Sequence, residues 1–330
     1  QALFETMMEA GMSDDARRHA ESAFALFPDD AGTLLNLSRV YRDAGESALA
    51  EEVLRKGLER VLDKTQLNIA LTELLLTRGE TDKADEAFKT IPETETYRQQ
   101  RLLLSALIAG ARTQWDTVLA RCGEAASANY PMPTRLLHVA ALVKAGKIED
   151  AGAPMRSADG EPLIGPSTNI LLRALGVAPN PLDEESEALA SSLKASPEAL
   201  HFFAYGLALR ELRFMRDAYT MFRAVDEKVP DSPRLVEFVL SAAARANDMP
   251  DRIAMATQIT EKYPEMAAAW IGLADVQGAV KDEMAEKASL EKAASIEPAN
   301  EQPWRRLARY YSDRFDYAGL LDASRHVVEL

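Results

Sequence analysis

The chain has 330 residues, 47% of them apolar and 27% charged, a globular balance that excludes a disordered or fibrous protein. Its net charge of −14 argues against nucleic acid as a partner, because phosphate binding draws on clustered Lys and Arg. No apolar run reaches the roughly 18 residues that insertion into a membrane requires, and the single cysteine, Cys122, allows neither an internal disulfide nor a CxxC metal knuckle.

The N-terminus, QALFETMMEAG, has no basic start followed by an apolar run, so no secretion signal is visible. Its first residue is Gln, which implies a trimmed chain. Cysteine scarcity fits the cytoplasm and equally a bacterial periplasm. From the first residues onward a period is evident. Gly11, Gly45 and Gly79 are spaced by 34 residues, and each is followed five residues later by alanine, at Ala16, Ala50 and Ala84. Gly146 and Ala151 repeat the pair. Toward the C-terminus the same spacing links Pro230, Pro264 and Pro298, and also Phe202, Val236, Trp270 and Trp304. Charge is equally regular: residues 1–165 and 166–330 each hold 19 Lys/Arg and 26 Asp/Glu.

A frame whose first slot falls at Ala31 restarts near Thr65, Gln99, Met132, Pro166, Ala199, Pro233, Ala267 and Glu301. With a truncated unit before Ala31 this makes ten repeats, and the chain is expected to continue beyond at least one end. Each repeat reads as two helices. Leu34, Leu37 and Tyr41, then Ala50, Val53, Leu54 and Leu58, recur at spacings of three and four, with a turn at residues 43–45 between them. Residues 1–151 hold repeats one to five. Residues 152–198 are irregular: Gly152 and Pro154 interrupt the second helix of repeat five, and GVAPNP replaces the tight turn of repeat six. This region reads either as a hinge or docking loop, or as a degenerate repeat that still stacks. Asn180 is expected to cap a helix that starts at Pro181, with Asp183, Glu184 and Glu185 complementing the dipole of its first turn. Residues 199–330 hold repeats seven to ten, announced by the start signals Ser196-Pro197 and Ser232-Pro233.

Nothing in the sequence points to catalysis, a metal or another cofactor. Neither GxGxxG nor GxxxxGK[ST] is present, and His19, His138, His201 and His326 are scattered without an HExxH. Cys122 falls at a core position.

The pattern resembles the tetratricopeptide repeat family. The resemblance is carried by Trp270-x-x-Leu273, Trp304-x-x-Leu307 with Tyr311, Tyr205-Gly206, and Ala218, Phe222 and Pro230, and it covers essentially the whole chain. It implies an all-α, right-handed α-solenoid in which the first helix of each repeat lines a concave groove through slots 2, 5, 6, 9, 12 and 13. Slots 4, 7, 8 and 11 face the paired helix. Inward slots are then apolar at Leu103, Leu104, Leu107, Leu136, Leu137, Ile170 and Leu171. They are mixed at Phe203, Phe238, Arg234 and Arg245, and basic at Arg305, Arg306 and Arg309. Trp304 belongs with Trp270 to the packing slots. The family's carboxylate clamp is not matched: Arg306 stands where its arginine would, but Ala268 and Gln302 leave the rest absent. The expectation is a non-enzymatic scaffold binding a protein or peptide segment, apolar at its centre and acidic at one end. The alternative is the recruitment region of a larger bacterial enzyme or polysaccharide-export or secretion protein.

Overall fold

The structure, a computed structural model, describes residues 6, 13–126, 130–165, 168–177, 181–246 and 252–329. It divides into two compact units, Gln1–Ala158 and Asp159–Leu330. Among the described residues none forms a β-strand, and both units are built from consecutive helical hairpins, an all-α solenoid.

In the first unit, α1 (Ser13–Leu26) precedes the hairpins α2 (Ala31–Asp43) with α3 (Ser47–Arg60), α4 (Thr65–Thr77) with α5 (Thr81–Lys89), and α6 (Arg98–Ala111) with α7 (Trp115–Ala125). Helix α8 (Met132–Lys144) packs instead on a 3-10 helix, Glu149–Met155. Pro154, which has no N–H to donate and a ring that crowds the preceding turn, lies inside that segment and prevents a full α-helix. Alternate hairpin faces lock together: Ala16 and Ala20 of α1 pack with Leu37 and Val40 of α2, and Phe24, Tyr41 and Val53 close the cluster.

The second unit holds α9 (Asn169–Ala174), α10 (Glu184–Ala195), α11 (Pro197–Glu211), α12 (Met215–Lys228), α13 (Pro233–Arg245), α14 (Arg252–Lys262), α15 (Ala267–Ala279), α16 (Glu283–Ile296), α17 (Glu301–Asp313) and α18 (Tyr317–Glu329). Ser196 and Ser232 cap α11 and α13, each accepting the N–H of the residue three further on at 3.3 Å. Helix α10 starts later than expected. Its cap is Asp183, which accepts the Ser186 N–H at 2.8 Å, while Asn180 lies outside the described residues. That bond holds the Asp183 carboxyl below the usual aspartate range. Neighbouring first helices come close where side chains are absent. A Cβ on Gly272 of α15 would sit 2.4 Å from Leu240 Cδ1 of α13, so only glycine permits this approach.

The glycine period has a conformational cause. Gly45, Gly79, Gly146 and Gly176 all have φ between 70° and 80°. Thr113, Arg213, Lys281 and Phe315, at φ 57–63°, hold the same left-handed turn where glycine is replaced. At each, the chain reverses so that two N–H groups return to carbonyls that the helix end leaves without donors. Gly45 N–H donates to Arg42 O at 2.9 Å and Glu46 N–H to Tyr41 O at 2.7 Å; Lys281 and Asp282 repeat this at 2.9 and 3.0 Å. Gly11 lies outside the described residues.

The proline and tryptophan series prove to be one device. Trp270 Nε1 donates to Pro264 O at 2.9 Å, and Trp304 Nε1 to Pro298 O at 3.0 Å. Each indole ties the start of a first helix to the linker that precedes it. Both rings are half-buried rather than core. Trp270 covers Ala267, Ile271 and Ala293. Trp304 stacks on His326, with ring planes 5° apart at 3.8 Å.

Candidate partner-binding site

The apolar centre of the expected groove is not open. Leu104, Leu107, Leu136, Leu137, Ile170 and Leu171 are between 0% and 3% exposed, and only Leu103 is half-buried. The reason lies in their helices. On α8 alone Leu136, Leu137, Val139, Ala140, Ala141, Leu142 and Val143 are all buried, and a helix apolar on more than one face packs against protein on each of them. Phe203 is likewise core, packed at 5.8 Å from Phe222 and 5.2 Å from Phe238.

The basic cluster of α17 is answered within the chain. Arg306 donates from Nη1 to Asp275 of α15 and from Nη2 to Glu286 of α16 at 2.6 Å. Burial raises the Asp275 carboxyl above the ordinary aspartate value, and the Arg306 charge opposes that rise. Arg305 is exposed and pairs along its own helix with Glu301 at 2.6 Å, and Arg309 is exposed. Arg306, expected to be free for an acidic partner, is thus paired within the chain. Its partners come from the preceding hairpin, one of them in an inward slot itself.

Arg234, Phe238 and Arg210, a residue not among those expected from the sequence, meet in a cavity of about 440 Å³ inside the second unit, with Ile170, Asp183 and Glu237 on its walls. Helix α11 supplies Arg210 and α13 supplies the other two of the trio. The Arg210 guanidinium lies 5.0 Å from the centroid of the Phe238 ring, a cation–π contact. Phe238 is fixed from behind by Phe222 at 5.4 Å. Arg234 donates to Glu237 at 2.5 Å and to Asp183 at 3.3 Å. Burial raises the Glu237 carboxyl, against the pull of Arg234. Among the described residues two donors of this cavity have no hydrogen-bond partner, the buried Arg210 Nη2 and Arg234 Nε. Desolvation lowers the Arg210 pKa, and the like charge of Arg245 lowers it further. Arg245 itself is exposed at the end of α13. A buried N–H left unmet costs about 1–3 kcal/mol, so this corner favours an incoming acceptor. The signal for Arg210 was present in the sequence: it occupies slot 12 of repeat seven, one of the inward slots.

Burial pushes the Cys122 thiol up to about 12, far from the reactive range of a nucleophile. Among the described residues no group of three or more His, Cys, Asp or Glu is placed to hold a metal ion, and no helix is long and apolar enough to cross a membrane.

No protein-family model and no curated protein matches the sequence. Solved structures do. The tetratricopeptide repeat domain of P58(IPK) aligns over 99% of this chain and 97% of its own, at 18% identity and a TM-score of 0.25. A structure of Naa15/Naa10 bound to HypK-THB aligns over 99% of this chain and 62% of that chain, at 14% identity and a TM-score of 0.33. The Cut9–Hcn1 hetero-tetramer of the APC/C aligns over 98% and 77%, at 11% identity and a TM-score of 0.35.

Proposed function

We propose that this chain is a non-enzymatic scaffold of the tetratricopeptide type that binds an acidic protein segment on the first helices of its second unit. The observation that carries the reading is Arg210, whose guanidinium lies against Phe238 with a buried N–H unmet. A carboxylate of the segment accepts from Arg210 and Arg234, a charge-assisted contact stronger than one between neutral groups. An apolar or aromatic neighbour in the segment lies along the cavity wall that Ile170 and Phe238 form. Arg245, Arg305 and Arg309 attract the acidic segment from farther away. Each such exposed pair contributes only about 0.2–1 kcal/mol. The net charge of −14 argues against a nucleic-acid partner.

An array of acidic peptides, with and without an aromatic residue, tests the reading on the full chain. Arg210→Met should weaken the best binder by about tenfold, roughly 1.4 kcal/mol. The same change should leave the melting temperature level or raised, since a desolvated charge is removed. Arg305→Ala should mainly flatten the salt dependence. Undiminished binding to Arg210→Met would move the site elsewhere.

A further inference from the structure

The irregular fifth repeat leaves a space that the regular hairpins fill. In its frame Arg135, His138 and Leu142 of α8 occupy slots 4, 7 and 11, the face that elsewhere receives the second helix of the hairpin. In α2 that face is closed: Leu34 meets Gly57 of α3, and Leu37 packs with Val53. The second helices of other hairpins run to between 9 and 14 residues. Here the segment is a 7-residue 3-10 helix containing Pro154, and it covers less of α8. What remains is a cavity of about 600 Å³ within the first unit, bounded by Tyr130, His138, Leu142, Ala153 and Pro154, with the opposite charges of Asp150 and Arg156 also on its walls. That volume lies within the roughly 300–1,000 Å³ of small-molecule sites.

The walls are braced. Arg135 donates from Nε to Tyr130 O at 2.8 Å, and from Nη1 to Pro154 O at 2.6 Å and Arg156 O at 2.7 Å. Its guanidinium also lies 4.6 Å from the Tyr130 ring centroid. With these donors spent on backbone carbonyls, Arg135 ties the two rims to each other and is poorly placed to recruit an anion. The neutral polar groups that face each other in the cavity are Tyr130 and His138. Tyr130 Oη lies 2.6 Å from His138 Nδ1, and the two rings meet edge to face at 6.1 Å. Desolvation lowers the His138 pKa, so the imidazole is neutral at pH 7. If the tyrosine hydroxyl donates to Nδ1, Nε2–H is the remaining donor and the phenol oxygen a remaining acceptor. If Nδ1–H donates, the hydroxyl proton and Nε2 take those roles. Either tautomer thus leaves one donor and one acceptor beside the apolar wall of Leu142, Ala153 and Pro154.

We infer that this cavity is a binding site for a small, neutral, hydroxyl-bearing aromatic molecule, a phenol in chemical class, seated where a second helix would lie and hydrogen-bonded to the Tyr130–His138 pair. The site stands apart from the acidic-segment reading of the second unit, and neither depends on the other.

The probe is p-cresol, with toluene as the analogue that lacks the hydroxyl. Both are titrated into the full chain while the His138 imidazole resonances are followed by NMR. A saturable shift with p-cresol and about fivefold weaker binding of toluene, the scale of one net hydrogen bond, is the expected result. Tyr130→Phe should erase the preference for p-cresol, and Ala153→Trp, which fills the cavity, should weaken both ligands about tenfold or more. Absence of a saturable shift, equal binding of the two ligands, or binding indifferent to Ala153→Trp would each overturn the assignment. If Ala153→Trp does not fold, the toluene comparison and Tyr130→Phe still decide.

Discussion

Lys281 and Phe315 hold backbone conformations that glycine holds elsewhere in the same period. At φ 63° and 57° their Cβ atoms crowd the following carbonyl, a strain that glycine does not carry. The turn survives because two returning N–H bonds at each helix end outweigh it. Lys281→Gly should therefore raise stability by about 0.5–1 kcal/mol, the strain relief less the greater freedom of glycine in the unfolded chain. Gly79→Ala is the converse. A Cβ there would meet nothing within 4 Å, so any loss, about 1 kcal/mol, is purely conformational. Urea titrations of the two variants check both signs. The distinction separates what the period preserves, a dihedral angle, from the residue that usually supplies it.

At the scale of the helix pair, stability rests on contacts that side-chain size and charge set jointly. Asp226 of α12 is 1% exposed, yet it accepts from Lys262 Nζ and Tyr263 Oη, both at 2.8 Å, at the end of α14. Tyr263 Oη in turn accepts the Asp231 N–H at 3.4 Å. This carboxylate ties the second helix of one repeat to that of the next, and Lys262 keeps part of its side chain in water. Asp226→Ala should cost about 1–3 kcal/mol, chiefly from the stranded Tyr263 hydroxyl. Lys262→Met should cost much less, since its exposed amine is screened. Chemical denaturation of the two variants and the double mutant would expose the coupling. A cost for Lys262→Met equal to that for Asp226→Ala would show that the ion pair, not the buried tyrosine bond, holds the hairpins together.

For the molecule as a whole, each hairpin draws its stability from its neighbours, so the chain should tolerate division between its two compact units. Residues 1–158 and 159–330 expressed separately should each give a helical circular dichroism spectrum and a cooperative melt. Failure of either to fold would show that its core is completed by the other. Much of this architecture was legible in advance. The spacing of Gly45, Gly79 and Gly146 announced the turns, Ser196 and Ser232 the helix starts, and Pro154 the lost second helix, because each acts on its own stretch of backbone. The site was less legible. Leu136 and Leu137 occupy inward slots and are buried all the same, and Arg306 finds Asp275 31 residues away. Arg210 occupies an inward slot that the repeat frame predicts, but its unmet N–H depends on what α13 brings beside it. Local propensity and period were therefore determined by the sequence alone, since dihedral preference and amphipathic spacing are properties of a few consecutive residues. Which inward face stays open, which charge finds a partner and which space stays unfilled were decided by the tertiary structure, because burial and hydrogen bonding depend on the helices that neighbouring repeats place against each other.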